Sequence, residues 1–90
     1  MQTRYESKPF VKSVADADGM TLLDLRGGKY FSLTGVGVDI WRAIEERRNH
    51  QEIVDQLCES YQQPADRISA DLDGFLAELD RKGLIDARSN

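Results

Sequence analysis

The feature that most constrains this chain is the run of residues 20–41, MTLLDLRGGKYFSLTGVGVDIW. Two short apolar segments flank Gly27-Gly28, and glycine tolerates the positive φ that a tight hairpin turn requires. A helical pattern that carries Trp41 starts directly afterwards. The run therefore predicts a β-hairpin that leads into a helix. It leaves the second strand, Lys29–Leu33, without an evident neighbour on its outer edge, where an extended peptide could add.

A further strand and three helices complete the predicted order. Residues 8–15 place apolar side chains near alternate positions, and the turn-forming residues 16–19 separate them from the hairpin. We expect one domain over residues 8–87, with a loose polar segment over 1–7 and a short tail over 88–90. The predicted fold class is α+β, with a three-stranded antiparallel sheet followed by three helices.

The predicted helices carry signals at their ends. Thr34 is the expected N-cap of the first helix, which runs to about Arg47. Asn49, followed three residues later by Glu52, matches the capping box that starts a helix. Gly83 follows the third apolar helical stripe, where a left-handed C-terminal cap is expected.

Composition argues against several classes of function. No apolar run approaches the roughly 18 residues of a membrane span. The single cysteine, Cys58, fits a reducing compartment, so we expect a cytoplasmic protein that has no membrane partner. Cys58 and the single histidine, His50, are too few for a zinc site, and neither glycine turn precedes the Lys-Ser/Thr pair of a phosphate-binding loop. We expect no metal, no cofactor and no catalytic activity.

Three helices after a small sheet also permit a winged-helix DNA-binding protein. Between Asp66 and Lys82, however, the third predicted helix carries three basic residues against five acidic ones. Such a helix would repel phosphate groups instead of displacing their counterions. We therefore expect no nucleic-acid partner, and DNA binding is the least favoured alternative.

The order and spacing of these segments resemble those of PqqD-like proteins over about residues 8–86. The resemblance is carried by LLDLRGGKYFSLTGVGVDIW, EIVDQLCESY and DLDGFLAELDRKGLI. That family, the RiPP recognition elements, has a winged-helix-turn-helix-like fold and binds the leader segment of ribosomally made precursor peptides. Discrete domains of this length resemble the stand-alone leader-binding proteins of lasso-peptide biosynthesis. The alternative is the peptide chaperone of pyrroloquinoline quinone biosynthesis.

The resemblance also implies a binding mode and partners. The leader would add as an antiparallel strand to the third predicted strand, enclosed by the third helix. It would then be presented to a leader peptidase on a separate chain and, further, to a cyclase. The exposed edge by itself leaves the oligomeric state open, as a monomer or as a weak dimer in which two copies pair through that edge. The implied peptide-binding residues are Lys29, Tyr30, Phe31, Ser32, Leu33, Arg67, Ile68, Asp71, Leu72, Phe75, Leu76 and Leu79. Which apolar residues of the helix face the groove and which face the core stays open at this point.

Overall fold

The computed structural model describes residues 3–89. Its elements are, in chain order, β1 (Thr3–Ser7), β2 (Val11–Ala15), β3 (Met20–Asp24), β4 (Lys29–Leu33), α1 (Val36–Glu45), α2 (His50–Tyr61), α3 (Ala65–Arg81) and β5 (Ile85–Ser89). Strands β2, β3 and β4 form an antiparallel sheet in that order, and β1 pairs with β5 in a separate two-stranded ribbon. The predicted α+β fold, with its three-stranded sheet followed by three helices, is confirmed.

Strands β1 and β5 correct the expectation of a loose segment over residues 1–7 and a tail over 88–90. The two strands pair antiparallel along their whole length. Tyr5 packs against the core, and Lys8 Nζ lies 2.6 Å from Asp86 Oδ1 just beyond the pairing. Because the partners lie at opposite ends of the chain, no local pattern could reveal this pairing. Residues 1, 2 and 90 lie outside the described part of the chain.

The hairpin turn between β3 and β4 is built as the glycine pair predicts. Asp24 Oδ1 accepts hydrogen bonds from the backbone N–H groups of Arg26 and Gly27 at 3.0 and 2.9 Å. Gly28 has a φ of 72°, and its N–H donates to the Asp24 carbonyl at 2.8 Å. Glycine relieves the strain that a side chain would meet at that positive φ. The turn thereby sets the register in which Asp24 faces Lys29.

The first helix begins and ends differently from the prediction. Its N-cap is Gly35, which has a φ of 56° and makes no side-chain capping bond. Thr34 stands one position earlier and contributes its carbonyl, which accepts from the Gly37 N–H at 3.1 Å. The helix ends at Glu45, and Arg47 adopts a left-handed φ of 61° just after it. Thr34 is therefore not the cap, because the positive φ of Gly35 turns the chain between Thr34 and the helix.

The other predicted helix ends are confirmed. The Asn49 side chain accepts from the Glu52 N–H at 2.8 Å, and Glu52 Oε1 accepts from the Asn49 N–H at 2.8 Å. Gly83 has a φ of 73°, and the next N–H, that of Leu84, donates to the Leu79 carbonyl at 3.0 Å. Both arrangements satisfy backbone groups that a helix end would otherwise leave without partners.

One apolar core joins the sheet, the three helices and β5. Trp41 and Leu22 are fully buried within it, and the half-buried Cys58 packs against it. Burial alternates along β3, where Met20 and Leu22 are buried, so the inner face of the sheet lies on the helices. Over residues 3–89, no helix combines the length and apolarity that spanning a bilayer requires.

Replacing Asn49 with alanine should lower the free energy of unfolding by about 1 kcal/mol, because it removes the acceptor of the capping box from a buried position. Urea denaturation followed by far-UV circular dichroism measures this change. Asn49→Ser is the matched control, since a serine hydroxyl can still accept from the same N–H, and it should stay within a few tenths of a kcal/mol. Equal losses in both variants would contradict a capping role.

Candidate functional site

The candidate site is the open edge of β4. This strand pairs with β3 on one side, and no strand of residues 3–89 lies on its other side. The direction of the backbone groups of β3 follows from two hydrogen bonds at its ends. Gly19 accepts from the Asp16 N–H at 2.8 Å, and the Leu25 N–H donates to the Phe10 carbonyl at 2.9 Å. Both bonds point toward β2. The backbone N–H and C=O groups of the odd-numbered residues of β3 therefore point toward that strand.

The backbone groups of the even-numbered residues of β3 consequently form the hydrogen bonds to β4. In the register they lie opposite Lys29, Phe31 and Leu33. Backbone groups alternate in direction along an antiparallel strand. Tyr30 and Ser32 therefore turn their N–H and C=O groups toward the open edge, where they offer two donors and two acceptors to an added chain.

The side chains of β4 divide between two faces as the sequence analysis expects. Leu33 is buried and Phe31 is half-buried on the inner face, toward the helices. Tyr30 is 71% exposed on the outer face. Lys29 and Ser32 are exposed as well, on the inner and outer faces respectively. The strand thus presents an aromatic ring to the helical side and a hydroxyphenyl group to solvent.

Helix α3 runs beside the inner face of this edge, in the direction opposite to β4. The Lys82 ammonium lies 4.8 Å from the centre of the Phe31 ring. Earlier in the helix, Phe75 approaches the other end of the strand: a Cβ built on Gly37 would lie 3.4 Å from the Phe75 ring and 3.8 Å from the Leu33 Cβ. Both distances are ordinary van der Waals contacts, and they place the Phe75 ring beside the start of α1 and the end of β4.

Three residues of α3 and its C-cap, Lys82, share the side that faces β4. Asp71, Phe75, Glu78 and Lys82 recur at intervals of four, three and four residues, which places them on one stripe of a helix. Since Phe75 and Lys82 both reach the strand region, the whole stripe faces it. We call the space between this stripe and the edge of β4 the groove. Its wall consists of one aromatic ring and three charged side chains.

The predicted apolar residues of α3 mostly lie in the core. Ile68, Leu72, Leu76 and Leu79 are 6%, 0%, 5% and 4% exposed. Phe75 alone among the apolar residues predicted on this helix is half-buried and lies on the stripe that faces the strand. The structure therefore answers the question that the sequence left open about which of these side chains point inward.

The charged residues predicted on α3 are both exposed, and two more charged residues join the groove. Arg67 lies in the first turns of the helix, four residues before Asp71. Glu78 and Lys82 are absent from the set of binding residues that the sequence implied. Their spacing of three and seven residues from Phe75 was the signal that could have placed them on the same side.

Glu78 is held between two cations at the end of α3. The Arg81 guanidinium donates a hydrogen bond to its carboxylate, and Lys82 Nζ lies 3.8 Å from Oε2. The Arg81 hydrogen bond and the nearby positive charges lower the pKa of Glu78 from its ordinary value. Arg81 and Lys82 thus exceed Glu78 by one positive charge around this carboxylate, whereas Asp80 lies on the other side of the helix, near Tyr5 and Ala87.

On its opposite side, α3 is tied to α2. His50 Nε2 lies 2.6 Å from Asp73 Oδ1, so the first residue of α2 contacts the middle of α3. Asp73 makes this contact while its side chain stays largely exposed. The pair helps to set the position of α3 relative to the core and, through the helix, the position of the groove wall.

Within the described residues, no group of three or more His, Cys, Asp or Glu side chains could hold a metal ion. A hollow of about 540 Å³ lies away from β4 and is lined mainly by polar and charged side chains such as Glu6, Glu45 and Asp86. What the β4 edge offers chemically is main-chain hydrogen bonding next to an aromatic and charged wall. This combination is typical of sites that bind a peptide in an extended conformation.

Comparisons with known proteins agree with this geometry. The family model of coenzyme PQQ synthesis protein D (PqqD) matches residues 19–85. TbiB1, solved in complex with the TbiA(beta) leader peptide, is 34% identical to the chain, with a TM-score of 0.88 over 94% of this chain and 99% of that one. A lasso peptide synthetase B1 complexed with the leader peptide is 20% identical, with a TM-score of 0.84 over 90% and 95% of the two chains, and supports the fold alone. No curated protein matches the chain.

In the protein without ligand, the amide protons of Tyr30 and Ser32 should exchange with solvent roughly tenfold or more faster than those of Phe31 and Leu33. The first pair faces the open edge, whereas the second pair donates to β3. Hydrogen–deuterium exchange followed by NMR measures all four in one experiment. Similar protection at all four positions would mean that the edge is already covered, for example by a second copy of the chain.

Proposed function

The chain belongs to the PqqD family, and we propose that it is a RiPP recognition element that binds the leader segment of a ribosomally made precursor peptide in lasso-peptide biosynthesis. The observation that carries the proposal is the open edge of β4, where Tyr30 and Ser32 present backbone groups beside a wall formed by α3. A leader that adds here as an antiparallel strand completes the hydrogen bonding of the edge.

The free energy that main-chain hydrogen bonds contribute indicates which other groups the leader must contact. Each hydrogen bond contributes about 1 kcal/mol net, so four bonds at Tyr30 and Ser32 supply about 4 kcal/mol. Micromolar affinity corresponds to about 8 kcal/mol. This difference, and the entropic cost of association in addition, has to be offset by side chains of the leader that cover apolar surface in the groove. Phe31 and Phe75 are the partly buried rings available there. Pairing provides the alignment, and the two rings provide much of the selectivity.

The likeness to TbiB1 supports leader binding, and the resemblance of the chain to stand-alone leader-binding proteins favours a lasso-peptide pathway over quinone biosynthesis. TbiB1 carries a leader peptide and shares 34% of its residues with this chain over nearly the full length of both proteins. The family model, by contrast, takes its description from coenzyme PQQ synthesis. A peptide chaperone of pyrroloquinoline quinone biosynthesis is therefore the second candidate, and it would use the same edge for a different peptide.

As an adaptor of this kind, the protein would act without catalysing a reaction. It would work in the cytoplasm, where precursor peptides are made, and would present the leader to a separate leader peptidase and to a cyclase. Peptide-binding roles for Arg67 and Asp71 belong to the same proposal, since both are exposed at the end of α3 that lies farther from Lys82. The adaptor would be a monomer or a weak dimer paired through β4, and leader binding would separate such a dimer.

Titration with the leader of the precursor encoded beside this protein should show saturable binding with a dissociation constant in the micromolar range or below. The largest amide NMR shifts should fall on Tyr30, Ser32 and the α3 stripe, and a scrambled leader of the same composition should leave them unchanged. Preferential binding of a quinone-pathway precursor would select the second candidate function. Binding of neither peptide would overturn the leader-binding proposal, and salt-dependent binding of duplex DNA would replace it.

Replacing Ser32 with proline should weaken leader binding about fivefold or more, because it removes one donor from the open edge while the ladder to β3 stays intact. Isothermal titration calorimetry measures the affinity. Ser13→Pro is the matched control on β2, and Ser32→Ala tests the hydroxyl alone; both should bind within about twofold of the unmodified protein. If Ser32→Pro binds as tightly as its controls while keeping its NMR spectrum, the leader does not pair with β4.

A further inference from the structure

We propose that the groove is electrostatically polarised and selects leaders that carry an acidic side chain just C-terminal to the docked strand, at the end marked by Lys29 and Lys82. This inference rests on the proposed function and deepens it, because it names the chemistry that the ligand must have. It requires two things of the structure: a defined direction for the leader, and an excess of positive charge where the leader leaves the groove.

The direction follows from the strand. β4 begins at Lys29 and ends at Leu33. A leader that pairs antiparallel to it runs the other way, so its N-terminal part lies near Leu33 and its C-terminal part leaves beside Lys29. Helix α3 also runs opposite to β4, which places Lys82 at this same end, over the ring of Phe31. The leader is thus parallel to α3, and its C-terminal part reaches Lys82 last.

We call the end of the groove where the leader leaves it the exit. Two lysines lie there, Lys29 at the start of β4 and Lys82 directly after α3. Lys29 precedes Phe31 by two positions and therefore lies on the same inner face of the strand, toward α3. The Lys82 ammonium is 4.8 Å from the Phe31 ring centre, so the ring holds it at the edge of the groove. Lys82 is also exposed enough to meet an incoming carboxylate, since 41% of its side chain is accessible.

Neighbouring acidic groups only partly offset these charges. Glu78 lies 3.8 Å from Lys82 but also accepts a hydrogen bond from Arg81. Asp24 lies opposite Lys29, with one carboxylate oxygen engaged by two N–H groups of the hairpin turn. Three cations (Lys29, Arg81 and Lys82) against two carboxylates (Asp24 and Glu78) leave the exit with one positive charge, because Asp80 faces Tyr5 and Ala87 on the other side of the helix.

One further cation near the hairpin, Arg26, lies away from the groove. The guanidinium of Arg26 lies 4.4 Å from the ring of Phe10, on the side of the sheet formed by β2. It is therefore not counted among the groups that meet the leader. The basic character of the exit depends on Lys29 and on the last turn of α3.

The opposite end of the groove has a different character. Asp71 lies on the same stripe of α3, eleven residues before Lys82, which corresponds to about 16 Å along the helix. About five residues of an extended leader span that distance. Arg67 stands one turn before Asp71, and Asp16 and Asp18 line a hollow together with Ser32 and Leu33, so acidic groups outnumber basic ones at this end. The excess of positive charge is consequently confined to the exit.

One result is expected for the leader and one for the protein. The precursor encoded beside this chain should carry Asp or Glu within about three residues after the segment that pairs with β4. Lys82→Met should weaken binding of that leader about three- to fivefold, because it removes the ammonium and keeps an unbranched apolar side chain over Phe31. Lys12→Met makes the same change of charge on β2 and should bind within about 1.5-fold of the unmodified protein.

A double-mutant cycle tests whether Lys82 interacts with the acidic residue of the leader. The acidic residue of the leader is replaced by its amide, Glu→Gln or Asp→Asn, and both peptides are titrated by calorimetry into the unmodified protein and into Lys82→Met. The amide should weaken binding to the unmodified protein and have little further effect on the variant. Raising the salt concentration should weaken the unmodified pair more than the pair that lacks both charges.

Three outcomes would overturn the inference. The leader could lack an acidic residue at that place, Lys82→Met could bind like Lys12→Met, or the two substitutions could add without coupling. In each case tight binding by the unmodified protein, with NMR shifts along β4, would leave the leader-binding proposal standing. Failure of the unmodified protein to bind any leader would instead remove the proposed function itself.

Discussion

The functional geometry of this protein depends on how backbone hydrogen bonds alternate across the β3–β4 hairpin. The turn at Asp24 and Gly28 sets a register in which the backbone N–H and C=O groups of Lys29, Phe31 and Leu33 point toward β3. The groups of Tyr30 and Ser32 are then left facing outward. A shift of one residue would reverse the faces of every side chain, and it would move Phe31 from the groove to the solvent side. A small turn thus decides both which backbone groups are free and which ring lies beside them.

Helix α3 serves two surfaces at once. Its leucines fill the core, and the adjacent stripe from Asp71 to Lys82 forms the wall of the groove. Contacts on the far side, such as His50 with Asp73, and the β1–β5 ribbon next to it hold the helix in place. The groove wall is therefore part of a rigid element instead of a loop, which favours a preformed site with a low entropic cost of binding.

Much of the fold could be predicted because its signals are local. The glycine turn, the capping box at Asn49 and the left-handed Gly83 each depend on residues within a few positions of one another, and all three are present. The predictions failed where the determining contact is distant or where one backbone angle redirects the chain. β1 and β5 join opposite ends of the chain, and Gly35 displaces Thr34 from the cap position. Of the candidate site, the edge strand and the facing helix were predictable, but four apolar residues of that helix proved to lie in the core.

The sequence by itself determined that β4 follows a tight turn, that it carries an aromatic pair, and that an amphipathic helix with an acidic excess comes later in the chain. Periodicity and turn chemistry suffice for this, because they act over a few residues. Only the tertiary structure decided which side of that helix faces the strand, and with it that Phe75, Glu78 and Lys82 meet the groove. That choice depends on how the core packs around Leu72 and Leu79, and such packing joins residues that are far apart in the sequence.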